Sequence, residues 1–221
     1  MALNPFRKAR KARERELEAA DRWRVARKLA EHEVTVLGEQ LADLHVDTLA
    51  SDLDEQAAHH YRRALEHYEQ VKDKVRGSTT VEDVLGAEQL LADARYHRAA
   101  VLALAAGEPV PERREPCFFD PRHGPSMRDV QWTPPSGVAR AVSVCAADAR
   151  RLAGGKEPKV RMVRLGDRYV PVHEAGGFEA IVDRHRSMTH ERSTSHNKKS
   201  LAEAYVNQTM NGANAPGGGK L

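Results

Sequence analysis

Two short clusters decide the fold: Cys117-Phe118-Phe119-Asp120-Pro121-Arg122-His123-Gly124-Pro125 and, further on, Val144-Cys145-Ala146-Ala147-Asp148. The chain has only two cysteines, and each cluster contains one of them. Cysteine, histidine and aspartate are residue types that bind zinc. The sequence between the clusters predicts a β-hairpin, and the second cluster begins a short helix. This order of turn, hairpin and helix is the layout of a treble-clef zinc module.

The spacing of these residue types predicts one Zn²⁺ bound by Cys117, His123, Cys145 and Asp148. The last two are three residues apart at the start of a helix, so their side chains lie one turn apart and face the same ion. In so small a module, metal binding would supply much of the folding free energy.

Other interpretations of the same residues stay open. The module could descend from a zinc fold without binding metal, with Asp148 stabilised by the dipole of the helix that it begins. The two cysteines could instead form a disulfide. If Asp148 is not a ligand, His173 is the candidate that replaces it.

The first half of the chain predicts long helices. Residues 6–76 contain no proline, and Gly38 is their only glycine. Two heptad seams predict an antiparallel helical hairpin or bundle. The two seams could lie on one bent helix, or on two helices of which the second begins at Ser51 as its N-cap. The seams are Val34, Leu37, Leu41 and Leu44, followed by Ala57, Tyr61, Ala64, Tyr68, Val71 and Val75. A capping box at Thr79 and Glu82 predicts a further helix over 81–106.

The fold class is therefore mostly α, with a helical, coiled-coil-like region over 1–107 and a small α+β module over 108–178. Alternation of apolar and polar residues predicts a hairpin over 128–144 and another over 160–172. We expect residues 179–221 to be mostly a flexible tail, apart from a short helix near 178–188.

Basic and acidic segments alternate along the chain. This charge pattern excludes fewer classes of function than the sequence motifs do. Residues 6–28 carry ten lysines and arginines against four acids, residues 34–69 carry eight acids against two arginines, and residues 110–172 are basic again. No P-loop and no nucleophile elbow occurs, and we predict that the chain is not an enzyme. No secretory signal is visible, and two cysteines without one predict a cytoplasmic protein.

Four segments of the second half resemble a segment of uncharacterised actinobacterial proteins, some of them related to the helical C-terminal parts of TPM-domain proteins. They are residues 116–126, 129–135, 144–149 and 170–176, and the likeness extends over about residues 30–178. The resemblance implies a helical region followed by a small cysteine-containing module, and it implies no activity. This chain has Val172-His173 where those proteins have an aromatic pair, and it has no TPM domain.

The function predicted from these patterns is that of an interaction or scaffold protein that self-associates through its helices. The alternative is a zinc-dependent nucleic-acid-binding protein, and the basic N-terminal helix could also bind an anionic membrane surface. No small-molecule substrate is indicated. The predicted partner-binding residues of the module are Arg122, Arg128, Trp132, Arg140, Arg150 and Arg151.

Overall fold

A computed structural model describes residues 5–49, 52–135, 137–165 and 168–183. Four helices come first: α1 (Pro5–Thr48), α2 (Glu55–Gly77), α3 (Val81–Leu85) and α4 (Ala87–Ala105). A 3₁₀ turn (Pro121–His123) precedes β1 (Arg128–Trp132), β2 (Arg140–Val144) and α5 (Ala146–Ala153). Then come β3 (Met162–Leu165), β4 (Arg168–Pro171) and α6 (Val172–Ala175), and residues 177–183 are helical. The predicted mostly-α class with a small α+β module is confirmed.

The helices pack as an antiparallel bundle. The α1–α2 pair is antiparallel: the His45 Nδ1 lies 3.3 Å from the Tyr61 hydroxyl, and Trp23 Nε1 donates to Ser78 Oγ. The predicted seams form the core, because Leu37, Leu41 and Leu44 of α1 and Ala57, Ala64, Val71 and Val75 of α2 are all buried. None of the described helices combines the length and the apolar character needed to cross a membrane.

Of the two helix arrangements that the sequence left open, the structure has two separate helices, α1 and α2. Two predictions about helix caps were wrong. The N-cap of α2 is Asp54 instead of Ser51, and the Asp54 carboxylate accepts the backbone N–H of Ala57 at 2.7 Å. Ser51 lies outside the described residues. The capping box is formed by Thr80 and Asp83, one position later than predicted, because the Asp83 carboxylate also accepts the N–H of Thr79.

The predicted helix over 81–106 is divided at Gly86. The end of the Lys74 side chain lies over this glycine, 2.6 Å from where a Cβ would be. The helical region ends as predicted near Gly107, which has a φ of 73° that glycine adopts without strain.

The small module contains two antiparallel hairpins, both at the predicted places. In the first, Val130 pairs with Val142, and in the second, Val163 pairs with Val170. The turns of the two hairpins include Ser136, Gly166 and Asp167, which lie outside the described residues. Each hairpin has its own small apolar cluster, and the first cluster contains both cysteines.

The short helix predicted near 178–188 is present as far as residue 183. Residues 179–183 are helical, Val182 is fully buried in the core of the bundle, and Ile181 packs with the second hairpin. Arg22 of α1 pairs with Asp183 at 2.8 Å. The rest of the predicted tail, residues 184–221, lies outside the described residues.

One buried carboxylate joins the module to the bundle. Glu33 of α1, which is 3% exposed, pairs with Arg95 of α4 at 2.9 Å, with Arg122 of the 3₁₀ turn at 2.8 Å and with Arg161 at 2.5 Å. Burial alone would raise the pKa of Glu33, but the hydrogen bond from Arg122 and the charges of Arg161 and Arg95 outweigh it and lower that pKa to about 2.

This cluster predicts a specific dependence of stability on pH. Because the pKa of Glu33 falls from 4.5 to about 2 on folding, its ionisation stabilises the fold above pH 4.5, and the contribution is lost as the pH falls towards 2. We expect Glu33→Gln to lower the free energy of unfolding by about 3–5 kcal/mol at pH 7, because one buried and two half-buried guanidinium groups lose their carboxylate. Denaturant titrations at several pH values measure both effects.

Glu31→Gln is the matched control, since Glu31 lies on the same helix but is exposed and pairs only locally with Arg27. It should change stability by less than about 1 kcal/mol. Equal effects of the two substitutions, or an unchanged acid limb in Glu33→Gln, would contradict the role given to Glu33.

Candidate metal centre

The loop that carries Cys117 is attached directly to the first hairpin. The N–H of Phe118 donates to the carbonyl of Ser143 at 2.9 Å, which places the loop beside the end of β2. The N–H of Cys117 donates to the carbonyl of Gly124 at 3.0 Å and closes the loop on itself. Gly124 has a φ of 92°, which favours glycine, and this turn directs His123 back towards Cys117.

The other two side chains come from the start of α5. Cys145 is the N-cap of this helix, and its sulfur accepts the N–H of Asp148 at 3.4 Å. Asp148 is therefore held one turn away on the same side, as the sequence predicts. Its two carboxylate oxygens are used differently: Oδ1 accepts the N–H of Lys159 at 2.9 Å, and Oδ2 points to the cysteines and the histidine.

The four predicted ligands converge, with one donor atom of each within 4.8 Å of the others. Asp148 Oδ2 lies 3.5 Å from Cys117 Sγ, 3.6 Å from Cys145 Sγ and 2.9 Å from His123 Nδ1. Cys145 Sγ lies 3.8 Å from the same imidazole nitrogen. This quartet, Cys117, His123, Cys145 and Asp148, is called the tetrad below.

These separations suit a tetrahedral ion. Zinc binds sulfur at about 2.3 Å and nitrogen or oxygen at about 2.0 Å, so neighbouring donors in a tetrahedron lie about 3.3–3.7 Å apart. Three of the four separations given above fall within 0.1 Å of that interval, and the shorter one is a hydrogen bond between His123 and Asp148. Two sulfurs, one imidazole and one carboxylate are also a donor set that zinc accepts. The residues present therefore fit one metal ion.

The tetrad is buried and electrostatically coupled. Its cysteines and Asp148 are buried, whereas His123 keeps a quarter of its side chain exposed. A hydrogen bond with the Cys145 thiol lowers the pKa of Cys117, and the same contact together with burial raises the pKa of Cys145. The bond to Cys117 also raises the pKa of His123.

Two alternatives from the sequence can be compared with this geometry. Both cysteines are free thiols, so the structure contains no disulfide between them. His173 is not near the tetrad, and it packs instead against Phe118, with 4.8 Å between ring centroids, and against Phe119 and Trp132. The hypothesis that His173 replaces Asp148 as a ligand is therefore wrong.

The six predicted partner-binding residues differ in their exposure and in their contacts. Arg122 is bound to Glu33, and Trp132 is half-buried in the aromatic cluster with Phe119 at 5.2 Å between ring centroids. The Arg140 guanidinium lies over the rings of Phe118 and Trp132, at 5.1 and 5.4 Å from the centroids. Arg128 and Arg150 are exposed, and Arg151 is half-buried and donates to the carbonyl of Glu157.

Sequence reasoning missed a group of histidines between α2 and α4. The Nδ1 atoms of His60 and His97 lie 2.8 Å apart, and the His67 ring stacks on His97 with 5.5 Å between centroids. Burial, together with the charges of its neighbours, lowers the pKa of His97 to about 4. The seven-residue spacing of His60 and His67 placed them on one face, but it did not indicate that α4 covers that face. The buried ion cluster around Glu33 was also missed, because the sequence did not indicate which segments pack against that face of α1.

Comparisons with family models, with curated proteins and with solved structures each found no match. The resemblance to actinobacterial proteins, which rests on the tetrad and its flanking residues, stays a prediction.

The coupled thiols predict a two-step titration in metal-free protein. We expect the thiolate absorbance at 240 nm to rise in two separate steps, because the pKa of Cys117 is lowered and that of Cys145 is raised relative to an ordinary thiol. Cys117→Ser should remove the early step. Two thiols that titrate together near pH 8.5 would contradict the close sulfur contact.

Proposed function

We propose that this chain is a zinc-dependent interaction protein, in which one Zn²⁺ bound by the tetrad stabilises a small partner-binding module on a helical scaffold. The observation that supports the proposal is the convergence of four donor atoms, from two separate segments, within 4.8 Å. Chance rarely brings both cysteines of a chain, one histidine and one buried carboxylate to a single point.

The proposed ion has a structural role that the apolar core cannot fill. Among the described residues, the apolar cluster around the first hairpin contains six buried residues, and two of them are the cysteines themselves. An ion that binds both the 117–123 loop and the start of α5 cross-links the segments before and after the hairpin. Its binding free energy then becomes folding free energy of the module.

A catalytic role is not part of the proposal. Four protein donors close the coordination of a tetrahedral zinc, whereas a catalytic zinc keeps one position open for water or substrate. The ion, as we propose it, organises the module and performs no chemistry.

The surface proposed for a protein partner is the exposed basic part of the module. Arg128 and Arg150 are exposed, and Arg140 presents its guanidinium on the aromatic cluster. An acidic surface would complement this one, and exposed arginines on aromatic rings recur in protein interfaces. Self-association through the heptad seams has less support, because the chain's own helices already cover both seams.

Metal content tests the central part of this proposal. Protein purified without an affinity tag should contain one zinc per chain, and the Cys117→Ser, Cys145→Ser double variant should contain none. Loss of the ion should also destabilise the module, which the melting temperature and the near-ultraviolet circular dichroism of Trp132 report. Both measurements are made on the full chain.

Asp129→Asn is the control for Asp148→Asn. Asp129 is an exposed carboxylate of the same module, paired with Arg114 at 3.0 Å, and its variant should keep full zinc. Asp148→Asn should weaken zinc binding at least tenfold, as loss of one ligand does. Protein without zinc after purification and after incubation with excess Zn²⁺ would overturn the proposal.

The first four turns of α1 favour a second candidate, binding to nucleic acid. Residues 6–19 are all exposed and contain six lysines and arginines against three glutamates. This predicts that any binding to DNA or RNA falls steeply as salt rises from 50 to 200 mM. A truncated chain that begins at residue 20 should lose this binding and keep its zinc, and unchanged binding by the truncated chain would exclude this helix as the site.

A further inference from the structure

A cavity of about 760 Å³ lies between the bundle and the module, beside the tetrad. Residues of α4 and of the segment that follows it form one side, and the start of α5 with the 3₁₀ turn forms the other. His123, Cys145 and Asp148 belong to its wall. Its volume falls within the range of about 300–1,000 Å³ that is usual for small-molecule sites.

Positive charge predominates around this cavity. Its cationic lining residues are Arg98, Arg122, Arg150, Arg151 and Lys159, and outside the tetrad its lining contains one carboxylate, Glu108. Arg122 is neutralised by Glu33. Within the described ranges, the other four cations have no carboxylate within ion-pair distance.

The lining of the cavity also has an apolar part. Ala99, Leu102 and Ala103 of α4 line the cavity, as do Met127 and three prolines at positions 109, 111 and 125. Gln40 lines it too, and its side-chain N–H₂ donates to the carbonyl of Arg122 at 2.9 Å. The remaining Gln40 Oε1 is buried and has no hydrogen-bond partner among the described residues, which leaves an acceptor for a donor group of a ligand.

We propose that this cavity binds a small organic anion, with an apolar body against α4 and a carboxylate or phosphate group between Arg150 and Lys159. The proposal rests on the proposed zinc site to the extent that the tetrad forms one wall. Apolar contact alone would select any hydrophobic ligand, and charge alone would select inorganic ions. Apolar lining residues together with cations that have no carboxylate partner favour an anion that carries an apolar group.

Isothermal titration calorimetry on the full, zinc-containing chain at low salt tests the proposal. The probes are phenyl phosphate and phenylacetate, which show whether the site prefers a phosphate or a carboxylate. Inorganic phosphate, which lacks the apolar group, and benzyl alcohol, which lacks the charge, are the comparison ligands. One of the two aromatic anions should bind saturably at one site per chain. Both comparison ligands should bind at least about tenfold more weakly.

The double variant Arg150→Gln, Lys159→Gln should lose at least about tenfold in affinity for the bound probe, because two charge-assisted contacts are removed. Both side chains are exposed, and Lys159→Gln keeps the backbone N–H that holds Asp148. The control is Arg128→Gln, Arg168→Gln, which removes two exposed arginines of the same module that do not line the cavity. Its affinity should change less than twofold.

Three results would overturn this inference: no saturable binding of either aromatic anion, equal losses in the two double variants, or equal affinity for inorganic phosphate or benzyl alcohol. The zinc content of each sample separates the two proposals. Zinc without anion binding overturns the cavity site and leaves the metal proposal standing. Anion binding without zinc supports the cavity and overturns the metal proposal.

Discussion

The convergence of two thiols, an imidazole and a carboxylate in one buried volume is the constraint on which the small module depends. Three of these four groups are buried, and their nearest polar neighbours are mainly one another. A buried anionic group is costly unless opposite charge or several donors compensate it. Backbone N–H groups also donate to the tetrad, that of Asp148 to Cys145 Sγ and that of Lys159 to Asp148 Oδ1, but neither carries a positive charge. A divalent cation would compensate all four groups at once, which is the physical basis of the metal proposal.

Glu33 explains why the bundle and the module belong to one structure. Arg122 sits next to His123 in the 3₁₀ turn, so the ion cluster around Glu33 and the tetrad share one short segment. The cluster places one carboxylate among three guanidinium groups, and such buried charges often add little net stability. These ion pairs fix the position of the module on the bundle, because a shift of the module would leave a buried charge unpaired. The bundle therefore orients the loop that carries two of the proposed ligands.

The sequence predicted the features that depend on local pattern. Alternation over 128–133 and 139–144 located the first hairpin, heptad spacing located Leu37 and Val71 in the core, and ligand spacing located the tetrad. Local sequence pattern gave a wrong prediction where two adjacent residues could both act as the N-cap of a helix. Thr79 and Thr80 can both cap a helix, and the Asp83 carboxylate accepts the N–H of both, so only the backbone path decides between them.

Long-range pairs of charged or polar residues had no signal in the sequence. Glu33 and Arg161 are separated by most of the chain, and each reads as an ordinary surface residue of its own segment. The same is true of His97, which contacts His60 only because α2 and α4 are antiparallel. The cavity beside the tetrad depends on how the bundle and the module meet, and that contact is set by pairs of this kind.

The coordination of the ion in protein purified from cells tests the central claim most directly. X-ray absorption at the zinc edge measures the ligands and their distances without a crystal. The account predicts two sulfur scatterers at about 2.3 Å and two nitrogen or oxygen scatterers at about 2.0 Å. A shell of nitrogen and oxygen alone, or a sample with no zinc edge, would contradict it.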